Sequence, residues 1–293
     1  MKQAILITAY KNFNHLEEIV KFFDGNFEIY IHIDRKSEIT PVEIARLLDY
    51  EIVQSVTQKY KVNWGGLNHL LAIIHLSELA LQNPENFFFH LISGHDFPIK
   101  EKGEFVDYFK KNKNLEFISY FGIPRPGWAD NEGMDRIEYY NFYDILNAKI
   151  PNQNGMIRRI VRFQKYLGLK RTISSKIPKL YGGSTWWSLS RECLSYVIRY
   201  TKNNKFVLNR FRNTLCSEEF YFPTVIMNSI FSLKVENNNL RYIDWGARNG
   251  NNPAVLDESD YEKLVETRAF FARKFEPSIS TILLKKIKET IYV

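Results

Sequence analysis

Short apolar runs alternate with helix-like spacings over the first sixty residues. Ala4 to Tyr10, Phe27 to Ile33 and Tyr50 to Val56 read as strands, with amphipathic helices from Asn14 to Phe23 and from Pro41 to Leu48 between them. Strands separated by helices in this way predict βαβ units and a largely parallel sheet. In such sheets a ligand sits beyond the carboxyl ends of the strands, so chemistry is sought first in the polar residues that close each apolar run.

A longer helix is predicted from Leu67 to Gln82, with Leu70, Leu71, Ile74, Leu79 and Leu81 mostly at helical spacing, stopped before Pro84. Phe87 to Ile92 reads as a buried strand that ends in the polar stretch Ser93-Gly94-His95-Asp96. Beyond it come a strand near Phe117 to Tyr120, an aromatic-rich loop to Tyr143, a helix from Arg191 to Tyr200 and another beginning near Glu218. No internal repeat is visible. With only 14 Gly and 10 Pro in 293 residues there is little material for a long linker, which predicts one compact unit.

Charge changes this picture only once it is located. Of 40 Lys and Arg, eight fall between Pro151 and Ser190, a stretch without Asp or Glu, leaving 32 basic against 33 acidic residues elsewhere. A nucleic-acid binder usually spreads its basic footprint along a stripe, so no nucleic acid is expected as a partner. The two cysteines, Cys193 and Cys216, build no disulfide framework and point to a reducing compartment. No stretch reaches 18 apolar residues, and the N-terminus enters a strand pattern without a signal-peptide layout.

Six separated pieces then fall into one order: Val62-Asn63-Trp64-Gly65-Gly66, Leu91 to Lys100, Gly182 to Arg191, Ser217-Glu218-Glu219-Phe220-Tyr221-Phe222-Pro223-Thr224, Leu240 to Trp245, and Phe271-Ala272-Arg273-Lys274-Phe275. In these the chain resembles the core-2/I-branching β-1,6-N-acetylglucosaminyltransferases and the related peptide O-xylosyltransferases, from about residue 4 to 275. The resemblance implies an α/β, GT-A type fold with a Rossmann-like, mostly parallel sheet flanked by helices over 1–277, followed by a basic amphipathic tail over 278–293. It also implies a UDP-sugar donor, inversion at the anomeric carbon, and catalysis without a divalent metal or other cofactor.

Inverting transfer needs one base to deprotonate the attacking hydroxyl. The match to the family's acidic pair places that base at Glu219, with Glu218 on the acceptor; read alone, the pair is an ordinary acidic helix start. No Asp-x-Asp occurs in the chain, so cations are expected to stabilise the leaving diphosphate. Lys274 is the aligned residue, Arg273 lies beside it, and Arg248 is the upstream candidate. His32, Asp34, Trp64 and Asp96 are the remaining donor-side expectations, with strand-end and turn roles as the alternative. For the acceptor, aromatic faces and a few polar groups are expected: Trp186, Trp245, Tyr181 and Arg136, while Trp187 reads as core.

The expected reaction moves a sugar, N-acetylglucosamine first and xylose as the alternative, onto a glycan or lipid-linked glycan hydroxyl to give a β linkage. A non-catalytic glycan-binding protein is the different-class reading. Met156 to Leu167 and the tail both set apolar residues at helical intervals among cations, so each could lie on an anionic membrane surface or simply cover the domain. Relative to the animal enzymes the chain lacks an anchor, a stem and disulfides, which suggests a cytoplasmic bacterial homologue in surface-polysaccharide synthesis.

Overall fold

The computed structural model of the chain describes residues 2–292. Strands β1 (Lys2–Ala9), β2 (Phe27–Ile33) and β3 (Val53–Thr57) alternate with α1 (Phe13–Phe22) and α2 (Pro41–Leu48), close to the expected bounds. Helix α2 starts where Thr40 and Glu43 cap each other's backbone amides and Pro41 supplies a pre-set first turn. Along β1 the pleat divides the side chains between two cores: Ile5 and Ile7 join one hydrophobic cluster, Ala4 and Leu6 the other. Both faces of the strand are covered, which is why it reads as a continuous apolar run rather than an alternation.

Next along the chain come α3 (Leu67–Ala80), β4 (Asn86–Ser93), β5 (Asp96–Pro98), α4 (Lys102–Lys111) and β6 (Glu116–Gly122). They are followed by α5 (Asp135–Glu138), α6 (Pro151–Tyr166), β7 (Tyr181–Ser190), α7 (Arg191–Asn203), α8 (Lys205–Arg210) and α9 (Glu218–Met227). The chain closes with β8 (Val235–Glu236), β9 (Arg241–Ile243), α10 (Tyr261–Glu266), β10 (Phe271–Arg273) and α11 (Pro277–Ile291). The main sheet has the order β3-β2-β1-β4-β7-β6-β8, with β7 antiparallel to both of its neighbours. The predicted α/β architecture with a mostly parallel, helix-flanked sheet is therefore the one observed.

A second sheet, β5-β10-β9, brings the end of the chain back over the strand ends. Arg241 ties the two sheets together. Its buried guanidinium donates to the Leu91 carbonyl at 3.0 Å, the Trp187 carbonyl at 2.8 Å and the Ser188 hydroxyl at 2.7 Å. The segment expected as a tail is helix α11, which sinks Leu283, Ile287 and Ile291 into the first core cluster. Among the described residues no helix is long and apolar enough to cross a membrane.

Candidate active site

Parallel strands β1, β2 and β4 present their carboxyl ends on one side of the sheet. At β2, Asp34 Oδ1 accepts from the amides of Lys36 and Val62, both at 3.0 Å. The Tyr60 amide donates to His32 Nε2 at 3.0 Å. Burial, with His75 nearby, pushes the His32 imidazole down to about 4, so it stays neutral and keeps that acceptor. Both residues thus hold the 60–62 segment that leads into Asn63-Trp64-Gly65-Gly66.

The glycines of that motif have a steric reason. Gly65 has a φ of +81°, and a Cβ there would meet Leu215 at 2.6 Å; a Cβ on Gly66 would strike the Asp144 carboxylate. That carboxylate caps α3 from a distant loop, accepting from the amides of Leu67 at 2.9 Å and Asn68 at 3.1 Å. Trp64 is left exposed, its ring edge-on to Tyr143.

The Cys216 amide donates to the Gly65 carbonyl at 2.9 Å and so ties this turn to the two glutamates that open α9, one end of the site. Glu218 Oε1 lies 3.0 Å from His69 Nδ1, and His69 Nε2 lies 3.2 Å from the Thr8 hydroxyl. The other Glu218 oxygen is buried with no partner. Glu219 accepts a hydrogen bond from Arg136 at 2.7 Å and keeps 26% of its side-chain surface accessible. The packed surroundings raise the Glu219 carboxyl above its ordinary range, although Arg136 pulls it back. Arg136 is in turn held 4.6 Å over the Trp128 ring. Burial opposes its charge, yet the Glu219 carboxylate leaves its pKa raised.

Cations gather at the other end. The Lys149 ammonium sits 4.2 Å above the Tyr10 ring and Lys11 5.7 Å from the same ring. Lys11 pairs with Glu276 at 2.8 Å; Lys274 lies 3.7 Å from Glu276 and 3.2 Å from Asn251 Oδ1. Lys36 pairs with Asp34 at 3.3 Å. Lys149 makes no ion pair among the described residues, and burial together with the charges of Lys36, Lys11 and Lys274 depresses its pKa. Burial lowers Lys274 as well, with Lys11 and Arg273 adding to the effect. Four ammonium groups thus share two carboxylates, Asp34 and Glu276. His95 lies against Tyr10 with both ring nitrogens buried and unpartnered, and burial pushes its imidazole down to about 3, so it is neutral.

Trp186 joins the two ends, lying between the Arg273 guanidinium at 4.3 Å and the His69 ring at 6.3 Å. Arg273 itself is turned inward, with Nε 3.4 Å from Asp96. Asp96 is wholly buried and accepts from the Ser93 amide and hydroxyl, so it fixes the turn after β4. Arg248, expected beside the diphosphate, is taken up by three carboxylates: Asp260 at 2.5 Å, Asp257 at 2.6 Å and Asp244 at 3.3 Å. Trp245 is exposed beyond β9. Tyr181 bonds through its backbone to Thr224 and stands edge-on to Tyr120, which with Phe121, Pro124, Arg125 and Asn237 lines an open groove of about 600 Å³ that Tyr181 itself does not line. Trp187 is core, stacked on Phe222.

Contacts through His69 and Trp186 therefore link Glu218, Glu219, Arg136, Arg273 and the adjoining Lys274 into one site, with His32 and Asp34 as tethers of the segment that leads into it. Sequence reasoning missed Lys11, Lys149, His69 and Glu276. Lys11 closes the first apolar run and Glu276 follows a matched segment, so both were within reach of the strand-end rule; Lys149 lies in a loop without periodicity. Among the described residues no three His, Cys, Asp or Glu side chains are grouped to hold a metal.

Comparison with known proteins places this cleft in context. The sequence model of the Core-2/I-Branching enzyme family matches residues 4–265. The chain is 24% identical to xylosyltransferase oxt of Drosophila melanogaster over 287 residues and 27% identical to xylosyltransferase 2 of Homo sapiens over 284. In each case the match covers 90% of this chain and 30% of the relative's length. Among solved structures, TarS 1-349 of S. aureus matches 99% of this chain and 64% of that one, at 11% identity and a TM-score of 0.41.

Proposed function

The chain belongs to the core-2/I-branching enzyme family, and from that premise we propose that it is an inverting, metal-independent glycosyltransferase using a UDP-sugar. The observation that supports this reading most is the pairing, across Trp186, of an accessible glutamate with a cluster of lysines richer in positive than negative charge. One end suits a base and the other a departing diphosphate.

In this mechanism Glu219 takes the proton of the acceptor hydroxyl as its oxygen forms a bond to the anomeric carbon. The bond from that carbon to the diphosphate oxygen breaks on the opposite face, and UDP leaves with the electron pair. Burial raises the basicity of Glu219, while Arg136 fixes the carboxylate in one orientation. Glu218, hydrogen-bonded to His69 through one oxygen, is assigned in this reading to a second acceptor hydroxyl. Lys149, Lys11 and Lys274 carry the developing charge of the leaving group. A cation 4 Å from a phosphate oxygen contributes about 4 kcal/mol of Coulomb energy at an effective dielectric near 20, before desolvation.

N-acetylglucosamine is the first candidate sugar; xylose is the second, favoured by the names of the relatives above. The acceptor is a glycan hydroxyl, in line with a role in surface-polysaccharide synthesis. A donor screen by UDP release in the presence of chelator tests the whole reading. Turnover with one UDP-sugar is expected. Activity that disappears with chelator and returns with manganese removes the metal-independent part.

A further inference from the structure

Two helices of this chain share a basic, amphipathic sequence and end in different surroundings. In α11 the apolar residues Leu283 and Ile287 are buried, Lys286 pairs with Glu258 at 2.6 Å and Lys288 with Glu18 at 2.5 Å. In α6 only one face is used that way, through Ile157 and Gln164. Outside that face the helix leaves Met156 51%, Phe163 60% and Tyr166 85% exposed. Arg158, Arg159 and Arg162 are likewise exposed, and none has an ion-pair partner among the described residues. Met156, Phe163 and Leu167 follow one another at helical intervals of seven and four, with Arg159 and Tyr166 beside them and Arg162 next.

We propose that this face of α6 is a docking surface for an anionic lipid bilayer, with the apolar stripe entering the headgroup boundary and the three arginines meeting the lipid phosphates. Charge complementarity selects the occupant: the helix and the segment after it, residues 151–190, contain no acidic residue. A bare polyanion would meet the arginines but would leave Phe163, Tyr166 and Met156 unburied. The combination of an exposed apolar stripe with unpaired cations fits an interfacial helix.

The helix is also fastened to the cleft. Gln164 accepts from the Tyr140 amide at 2.8 Å and donates to its carbonyl at 3.1 Å. Lys165 pairs with Asp135, and the Arg171 amide donates to the Glu138 carbonyl at 2.7 Å. These contacts grip the short stretch that carries Arg136, the partner of Glu219. Docking of α6 therefore sets the glutamate end of the cleft at a fixed height above the surface, where a lipid-linked acceptor would present its hydroxyl. The docking itself does not depend on the glycosyltransferase reading; only this orientation does.

Flotation of the intact chain with vesicles of phosphatidylcholine alone, or with 30% phosphatidylglycerol added, tests the proposal. Binding to the anionic vesicles and not to the neutral ones is expected. Each cation near such a surface is worth about fivefold in partitioning, so the triple variant R158E/R159E/R162E should lose more than ~100-fold. F163S/Y166S should bind more weakly at moderate salt, where electrostatics are screened and the apolar contribution remains. K285E on α11 serves as the control and should bind like the parent chain. All of these positions are exposed, and circular dichroism and melting verify that each variant folds. No flotation at low salt, or equal flotation by the parent and both α6 variants, overturns the proposal. So does binding to duplex DNA as tight as to vesicles and indifferent to F163S/Y166S, which would assign the face to a polyanion instead.

Discussion

At one end of the cleft a single accessible carboxylate, Glu219, is gripped by Arg136 at 2.7 Å. At the other, Lys11, Lys36, Lys149 and Lys274 share two carboxylates, and burial first and the neighbouring lysines second lower the pKa of Lys149. Glu219 and Arg136 are thus matched one to one, whereas positive charge is left in excess at the second end. A matched pair fixes a geometry, whereas an excess of like charge repels itself and attracts an anion.

Substitutions can break that contrast, and the largest expected effect is at the matched end. Glu219→Gln keeps the shape and removes the base, so transfer should fall by about 10³-fold while UDP still raises the melting temperature. Turnover near the parent rate would dismiss Glu219 as the base. At the excess end, Lys149→Ala should lower kcat/KM by about 30-fold, roughly 2 kcal/mol of the about 4 kcal/mol Coulomb figure. The same variant should melt no lower than the parent, because it relieves repulsion among the lysines. A fall in both activity and melting temperature would instead mark Lys149 as a structural residue.

The acid limb of the rate profile sharpens the comparison further. Glu219 is active as the carboxylate and its pKa is raised by burial, so the rate should fall as pH drops through a value above the ordinary glutamate range. Arg136 lowers that pKa, hence Arg136→Gln should move the acid limb to higher pH; a limb that stays in place would separate Arg136 from the base. Arg248 supplies the opposite case, a cation fully spent on carboxylates, including the buried Asp260. Arg248→Ala should destabilise by about 2 kcal/mol through the stranded carboxylate, with kcat little changed. The smallest effect is expected from chelation, which should leave the rate of UDP release where it was.

Much of this arrangement was legible from patterns along the chain. The strand-helix alternation predicts the sheet, and five of the six matched pieces carry residues of the site, while Leu240 to Trp245 supplies the Arg241 tie between the sheets. Trp64-Gly65-Gly66 shows why a motif can be read before its reason is known: the glycines leave room for Asp144 and Leu215, residues remote in sequence. Which cations are free was not legible. Arg248 and Lys274 look alike in sequence, but of the three acids that capture Arg248 the two at the shortest distances, Asp257 and Asp260, sit 9 and 12 residues further on. Lys149 is set in place by folding, on a loop whose Asp144 caps a distant helix. The same blindness applies to α6 and α11, which differ in what packs against them rather than in composition.

The surplus of lysines has a consequence after the chemistry is over. UDP released from its sugar bears an additional ionisable phosphate oxygen, so on the proposed reading the spent nucleotide fits the cluster better than the donor did. Such an enzyme would be its own brake: accumulating UDP would hold it closed to new donor, added salt would ease the hold, and its pace in a cell would be set by whichever phosphatase clears UDP away.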